Sequence, residues 1–391
     1  MMSRFCSVLG AAWRDEWQFL WHSTWDRALI SWLTWLILLL FAAMFYSAVP
    51  RELPIVVVDH SHSSLSREII RALDAAPALE VLAQPASLDE AWVWVRSNQA
   101  NAVLYIPSEL EKQVRQAQSV PLLAFYNATF TTAGGSALRE IDAAIKHLSG
   151  SFLVKYSLTS TGVEKLKAAP LKAQVTVLYN PARNFEVFLL GLIFPALLHF
   201  ILCVAVTSSF AREIRDSTVQ QWYQRVGGAL LPAVLGKMLP YIALFSLYGL
   251  AALMWVTYVR GDGMAGSLLR LWCGAVLMYA AYAAIGFMLA SLVRNMSSAL
   301  SGVGLYAGTS LAFCGATFPI DGAPWFARVW HHLLPFSTYL KLDAAERYMQ
   351  ALPSLSVGYL LILLAFVLVP LLVGLTIFKQ TLNNPSWWGK R

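Results

Sequence analysis

FEVFLLGLIFPALLHFILCVAVTS, residues 185–208, decides the fold. Glu186 is its one acidic residue, and about 20 such residues suffice to cross a hydrocarbon core. Working outward, five more apolar runs of similar length occupy residues 28–49, 240–259, 268–292, 298–318 and 355–378. Six transmembrane helices are therefore expected. Residues 230–240, bracketed by Pro232 and Pro240, either begin the third span or lie as a re-entrant or interfacial piece. Composition agrees, because the 391 residues are 58% hydrophobic and only 13% charged, against roughly a quarter charged in soluble domains.

The formal charge of +7 does not point to nucleic acid. Lys and Arg are dispersed and many sit at span ends, where they meet lipid headgroups. With a cytoplasmic N-terminus, eleven of them fall on inner segments and five on short outer loops. That asymmetry orients the chain N-in and C-in. Cys203, Cys273 and Cys314 lie in expected spans and Cys6 in the leader, so no disulfide framework is implied. The first apolar run is too long for a signal-peptide core and stays as an anchor.

Residues 1–27 form a cytoplasmic leader. Within it WRDEWQFLWHSTWDR mixes aromatics with charges, which fits a helix in the headgroup plane or a simple aromatic belt. Residues 28–49 are the first span. From residue 50 to 183 the pattern changes to short apolar strands alternating with amphipathic helices, the signature of an inserted α/β domain. IVVV at 55–58, residues 79–82, 102–106, 122–126 and 175–179 read as strands, and residues 135–156 as a long helix. Ser87-Leu88-Asp89-Glu90 opens another helix with a capping-box pattern. Residues 184–378 carry spans two to six, with an inner loop at 209–230, and 379–391 form a cytoplasmic tail.

A nucleotide-driven transporter needs a phosphate loop, G-x-x-x-x-G-K-[ST]. The nearest approach is Gly236-Lys237, but Met238 replaces the hydroxyl residue and Leu231 the leading glycine. The chain is therefore not an enzyme, and it binds no nucleotide, metal or other cofactor of its own. His60 with His62, and His331 with His332, lack Cys or carboxylate companions at ligand spacing. His199 lies within the second span, where an ionisable group marks either a functional site or a hydrogen bond to a neighbouring Ser or Thr. Gly302, Gly304 and Gly308 make a small-residue groove, read either as a subunit interface or as packing within one chain. The loop AREIRDSTVQQWYQ, residues 211–224, is polar and helix-compatible, and taken alone it is a solvated connector.

These pieces, in this order, resemble the ATP-binding-cassette type-2 permease family, in its bacterial exporter branch with a large extracytoplasmic insert. The likeness rests on IVVVDHSHSSLSREIIRAL after the first span, Arg212-Glu213 to Gln221 after the second, and GKMLPY at 236–241. FPIDGAPWFARVWHHLLPFSTYL at 318–340 extends it. Ser217 stands where the family often has Gly, and Arg225-Val226 where Thr-Pro is common. The resemblance implies a transmembrane subunit of an exporter in the bacterial inner membrane, paired with a second permease chain. ATPase subunits would hold ATP and Mg²⁺, and a periplasmic adaptor would join outside. It implies ATPase coupling by Arg212, Glu213, Arg215, Asp216, Thr218 and Gln221, and efflux of a hydrophobic or amphipathic compound. A membrane-anchored binding or scaffold protein is the alternative, and a stand-alone secondary transporter is disfavoured by the scarcity of membrane carboxylates.

Overall fold

A computed structural model describes residues 2–46, 52–97, 99–115, 120–126, 131–159, 185–261, 263–317, 320, 322–349 and 351–389. It divides into two compact units, Met1–Tyr46 with Val177–Arg391, and Ser47–Thr176.

The first unit starts with α1 (Met2–His22), α2 (Thr24–Ile30) and α3 (Trp32–Met44). Ser23 separates α1 from α2, its hydroxyl accepting from the Asp26 backbone and donating to the Asp26 carboxylate. Ser31 separates α2 from α3, its Oγ donating to the Arg27 carbonyl. Trp32, Leu36, Leu39 and Leu40 of α3 point outward, uncovered by protein. An outward apolar face of this kind requires lipid.

The second unit runs β1 (Leu53–Asp59), α4 (Ser64–Asp74), β2 (Leu79–Ala83), α5 (Leu88–Arg96), β3 (Ala102–Ile106), α6 (Leu110–Arg115), β4 (Leu123–Tyr126) and α7 (Thr131–Thr159). The strand order is β2-β1-β3-β4. β1 pairs in parallel with β2 and β3, and β4 closes antiparallel on β3. The continuous IVVV run follows from burial on both faces. Ile55 and Val57 pack with Ile69 and Leu73 of α4 and Ile141 of α7, while Val56 and Val58 pack with Ala91 of α5. Ser63 caps α4 in a reciprocal box with Ser66, and the Ser87 hydroxyl accepts from the Glu90 backbone to cap α5. The expected strand at 175–179 lies outside the described residues.

Returning to the first unit, the chain forms α8 (Phe185–Arg215), α9 (Val219–Arg225), α10 (Leu230–Met254, extended by a π turn to Val259), α11 (Leu268–Val293) and α12 (Met296–Tyr306). Then come α13 (Ser310–Phe313), α14 (Trp325–Leu333), α15 (Pro335–Arg347), α16 (Pro353–Asn383) and a single 3₁₀ turn, Pro385–Trp387. The 230–240 segment begins the third span as part of α10. α8 continues to Arg215, so the connection expected at 209–230 is mostly helix: the end of α8, a tight elbow, and α9.

Among the described residues five helices are long and apolar enough to cross a membrane: Thr24–Met44, Phe185–Arg215, Leu230–Val259, Leu268–Val293 and Pro353–Asn383. Five of the six expected spans are thus unbroken helices, and the expected span at 298–318 is split into α12 and α13, neither long enough to cross by itself. Ser and Gly are poor helix formers, and local polar groups hold the turn. Thr309 Oγ1 donates to the Leu305 carbonyl at 2.8 Å and accepts from Trp330 Nε1 at 3.0 Å. Gly308 crosses so close to the Gly304 carbonyl oxygen that any Cβ would strike it.

Candidate functional site

The site begins with a stripe on α1. Val8, Ala12, Glu16 and Leu20 recur every fourth residue and all are buried, so one helical face turns into the bundle. One member of that apolar stripe is an acid. The headgroup-plane reading of the leader fails at this position, since Glu16 faces protein and is 1% exposed.

Gly236 of α10 makes the approach possible. A Cβ there would lie 2.7 Å from the Ala12 Cβ and strike the Leu9 carbonyl oxygen. With the helices that close, Lys237 reaches across and places Nζ 2.7 Å from Glu16 Oε2. The Gly-Lys pair is therefore a helix-crossing device.

Glu16 is also met by Arg212 Nη2, 2.7 Å from Oε2 and 2.8 Å from Oε1, and by the Tyr241 hydroxyl, which donates to Oε1 at 2.5 Å. Lys237 Nζ bridges onward to Glu213 Oε1 at 3.0 Å, and Glu213 Oε2 accepts from Thr218 Oγ1 at 2.5 Å. Two carboxylates and two cations thus form one neutral chain linking α1, the end of α8 and the start of α10. Aromatic faces close it: the Arg212 guanidinium lies 3.3 Å over the Phe19 ring and Lys237 Nζ 4.9 Å over Trp222. Burial alone would raise the Glu16 pKa, but Lys237, Arg212 and the Tyr241 hydroxyl hold it below its ordinary value.

Beyond Glu213 the chain reverses at Ser217, whose φ of 59° is left-handed. Gly is the residue for which this conformation costs least. Thr218 leads into α9. The reversal sorts the six residues expected to couple to an ATPase. Arg212 and Glu213 turn inward into the ion chain and Thr218 is half-buried beneath it, whereas Arg215, Asp216 and Gln221 face outward. Arg215 and Asp216 pair with each other at 2.8 Å. Arg225, at the end of α9, meets Asp15 of α1 at 2.9 Å on the surface. Sequence reasoning missed Glu16, Lys237 and Tyr241 as members of this site. The available signal was the four-residue repeat of Val8, Ala12, Glu16 and Leu20.

The three glycines of α12 and its turn also separate. A side chain at Gly302 would meet Leu289 of α11, Gly308 serves the turn, and Gly304 is exposed with open space beyond it. His199 Nδ1 donates to the Pro195 carbonyl at 2.8 Å, and the ring stacks on Tyr282 at 4.0 Å. Its partner is backbone rather than the expected Ser or Thr. His60 meets the Ala86 carbonyl at 3.0 Å and the Tyr105 ring edge, and His331 meets the Phe313 carbonyl at 2.9 Å.

At the other end of the helices each buried acid meets an arginine. Arg260 holds Glu186, Arg270 holds Glu346 at 2.6 Å, and Arg347 holds Asp343 one turn earlier on α15. Glu186, Glu346 and Arg347 are buried, so acids that looked scarce within the spans are present at their margins with arginine partners.

Five lipid-length helices, with a buried ion chain tying an amphipathic leader to the elbow between two of them, mark an integral membrane protein. The chain belongs to the family described as ABC-2 family transporter protein, whose model matches residues 27–376. It is thus a transmembrane subunit of an ABC transporter and the partner of a separate ABC ATPase, not an ATPase itself. None of the curated proteins compared matches the chain.

Proposed function

We propose that the chain is the permease of an ATP-driven exporter in which the ATPase grips the outward face of the elbow and the buried ion chain passes the displacement to α1. The observation that carries this is the single chain of contacts from Thr218 through Glu213, Lys237 and Glu16. Each carboxylate there has two cationic neighbours. Exchange among those partners allows two arrangements of similar charge balance, which a coupling element requires. Of the six expected coupling residues, Arg215, Asp216 and Gln221 are the docking set, with Gln224 and Arg225 beside them. Arg212, Glu213 and Thr218 are the transmission set.

In this reading the leader side faces the cytoplasm, both chain ends lie inside, and the Ser47–Thr176 unit stands outside the inner membrane. It would gate exit or meet a periplasmic adaptor. ATP and Mg²⁺ bind the partner ATPase. A second permease chain completes the pathway, with the open face at Gly304 available to it, and the cargo is a hydrophobic or amphipathic compound drawn from the cytoplasm or inner leaflet.

The test is co-purification with the cognate ATPase. Arg215→Glu with Gln221→Arg should abolish capture of the ATPase while thermal stability stays within about 0.5 kcal/mol, as for most surface changes. Undiminished capture by that variant would refute the docking assignment. Ligand binding by the chain with no ATPase association would favour the anchored binding protein instead.

A further inference from the structure

The segment after α16 folds back against the elbow. Pro385–Trp387 make a 3₁₀ turn, and Trp388 Nε1 donates to the Thr381 carbonyl at 2.8 Å. Gly389 N–H donates to the Ile214 carbonyl at 2.9 Å. That carbonyl belongs to the last turn of α8 and also accepts from the Ser217 N–H at 3.3 Å, so Gly389 shares an acceptor with the elbow itself. Gly389 has a φ of 72°, and a Cβ on it would lie 3.1 Å from Ser217 Oγ, beside the left-handed residue of the elbow.

The same segment reaches a second reversal. Trp387 lies under the Arg294 guanidinium at 3.5 Å, and Arg294 is the left-handed cap, φ 59°, that ends α11. Arg215 of the elbow in turn reaches Met296 Sδ, at the first residue of α12. Ser217 and Arg294, the two non-glycine left-handed residues described in this unit, therefore both lie against one short aromatic segment. The ion chain needs none of these contacts, so holding α1 does not explain them.

We propose that residues 385–389 form a clasp that fixes the direction of the elbow, so that a push on its outward face also reaches α11 and α16. Trp387 and Gly389 are positioning residues, and their role in coupling rests on the reading above. Trp387 ties the clasp to the α11 cap through a cation–π contact. Gly389 supplies both the N–H and the left-handed backbone that a side chain would strain.

Two measurements test this on the full chain in its complex. First, Ser217→Cys with Gly389→Cys should cross-link within one chain on mild oxidation, and neither single variant should do so. No cross-link, together with a Gly389 amide that exchanges hydrogen as fast as a free peptide in the unaltered chain, would show that the segment is not seated on the elbow, and would overturn the clasp whatever the ATPase does. Second, ATP hydrolysis stimulated by the permease is measured for Trp387→Ala, Trp387→Phe and Gly389→Pro. The Ala and Pro variants should capture the ATPase as wild type does yet lose about tenfold in stimulated kcat, an ordinary size for a coupling effect. KM for ATP should stay unchanged, and Phe should restore most of the rate by keeping a ring under Arg294.

Wild-type stimulation in both the Ala and Pro variants would overturn the coupling role of the clasp. Loss of ATPase capture in them would overturn it too, by making the segment part of the docking surface. If the unaltered chain captures no ATPase, the exporter reading fails and the coupling role falls with it, while the cross-link and the Gly389 exchange still decide whether the segment is seated.

Discussion

The two ends of the helical unit handle buried charge in opposite ways. On the leader side Glu16, Arg212, Lys237 and Glu213 share partners across three helices, and Tyr241 and Thr218 take up the remaining oxygens. At the far end each acid has its own arginine, as in Arg260 with Glu186 and Arg270 with Glu346. An acid held by a single arginine has no second cation among the described residues to move to. A shared chain keeps its charge balance when one contact lengthens and another shortens. The far end is therefore suited to serve as an anchor and the leader side as the part that moves.

The largest effect should come from cutting the shared chain. Glu16→Leu leaves Lys237 and Arg212 with only Glu213 between them, in a place with almost no water. Removing one member of a buried pair costs about 3–5 kcal/mol, so unfolding in detergent should occur at much lower temperature. Combining Glu16→Leu with Lys237→Met restores the balance, leaving Arg212 beside Glu213, and should cost less than the sum of the two single changes. Strict additivity would mean that the residues act separately, and the contrast between the two ends would dissolve.

Next in size is the crossing that brings α1 within reach. Gly236→Ala places a methyl group against Ala12 and the Leu9 carbonyl, and overpacking of this kind costs about 1–3 kcal/mol. Hydrogen exchange should accelerate along α1, with the α11 and α16 amides unchanged. Uniform acceleration would instead mean that the crossing supports the whole bundle.

Much of this architecture was legible beforehand. The strands at 55–58 and 102–106 declare themselves by continuous apolar runs because both sheet faces are covered, and the long spans declare themselves by length alone. The ion chain was not legible, for a physical reason. Arg212 and Glu16 are 196 residues apart, and a lone acid amid tryptophans reads as a headgroup contact until a partner helix is in place. Residues 298–318 misled in another way. Their small side chains signal close packing, but at Gly308 the close approach is to the chain's own preceding turn, and that ends the helix.

Acid should distinguish the ends more gently. Folding holds the Glu16 pKa below its ordinary 4.5. Its contribution is therefore fully present above 4.5 and is lost as pH falls through the lower folded value. Proteolysis within α1 should become faster on acidification below 4.5 in the wild type, and Glu16→Gln should remove that part of the pH dependence. An unchanged profile in the Gln variant would assign the acid sensitivity to another group.

The smallest effect should come from an ion pair near the shared chain that lies in water and, like that chain, ties α1 to the elbow region. Arg225 and Asp15 join α9 to α1 at 2.9 Å, the same two regions that the buried chain connects, but the arginine side chain is 60% exposed. Solvent screening and the entropy of fixing a long side chain leave such pairs worth about 0.2–1 kcal/mol. Arg225→Ala should therefore shift the unfolding temperature slightly, and less at high salt, where exposed charges are screened. Position is then the only thing Arg225 shares with the buried chain. If its loss matched that of Glu16→Leu, the α1 to α9 contact would be held from the surface, and burial would no longer be what makes the leader side cohere.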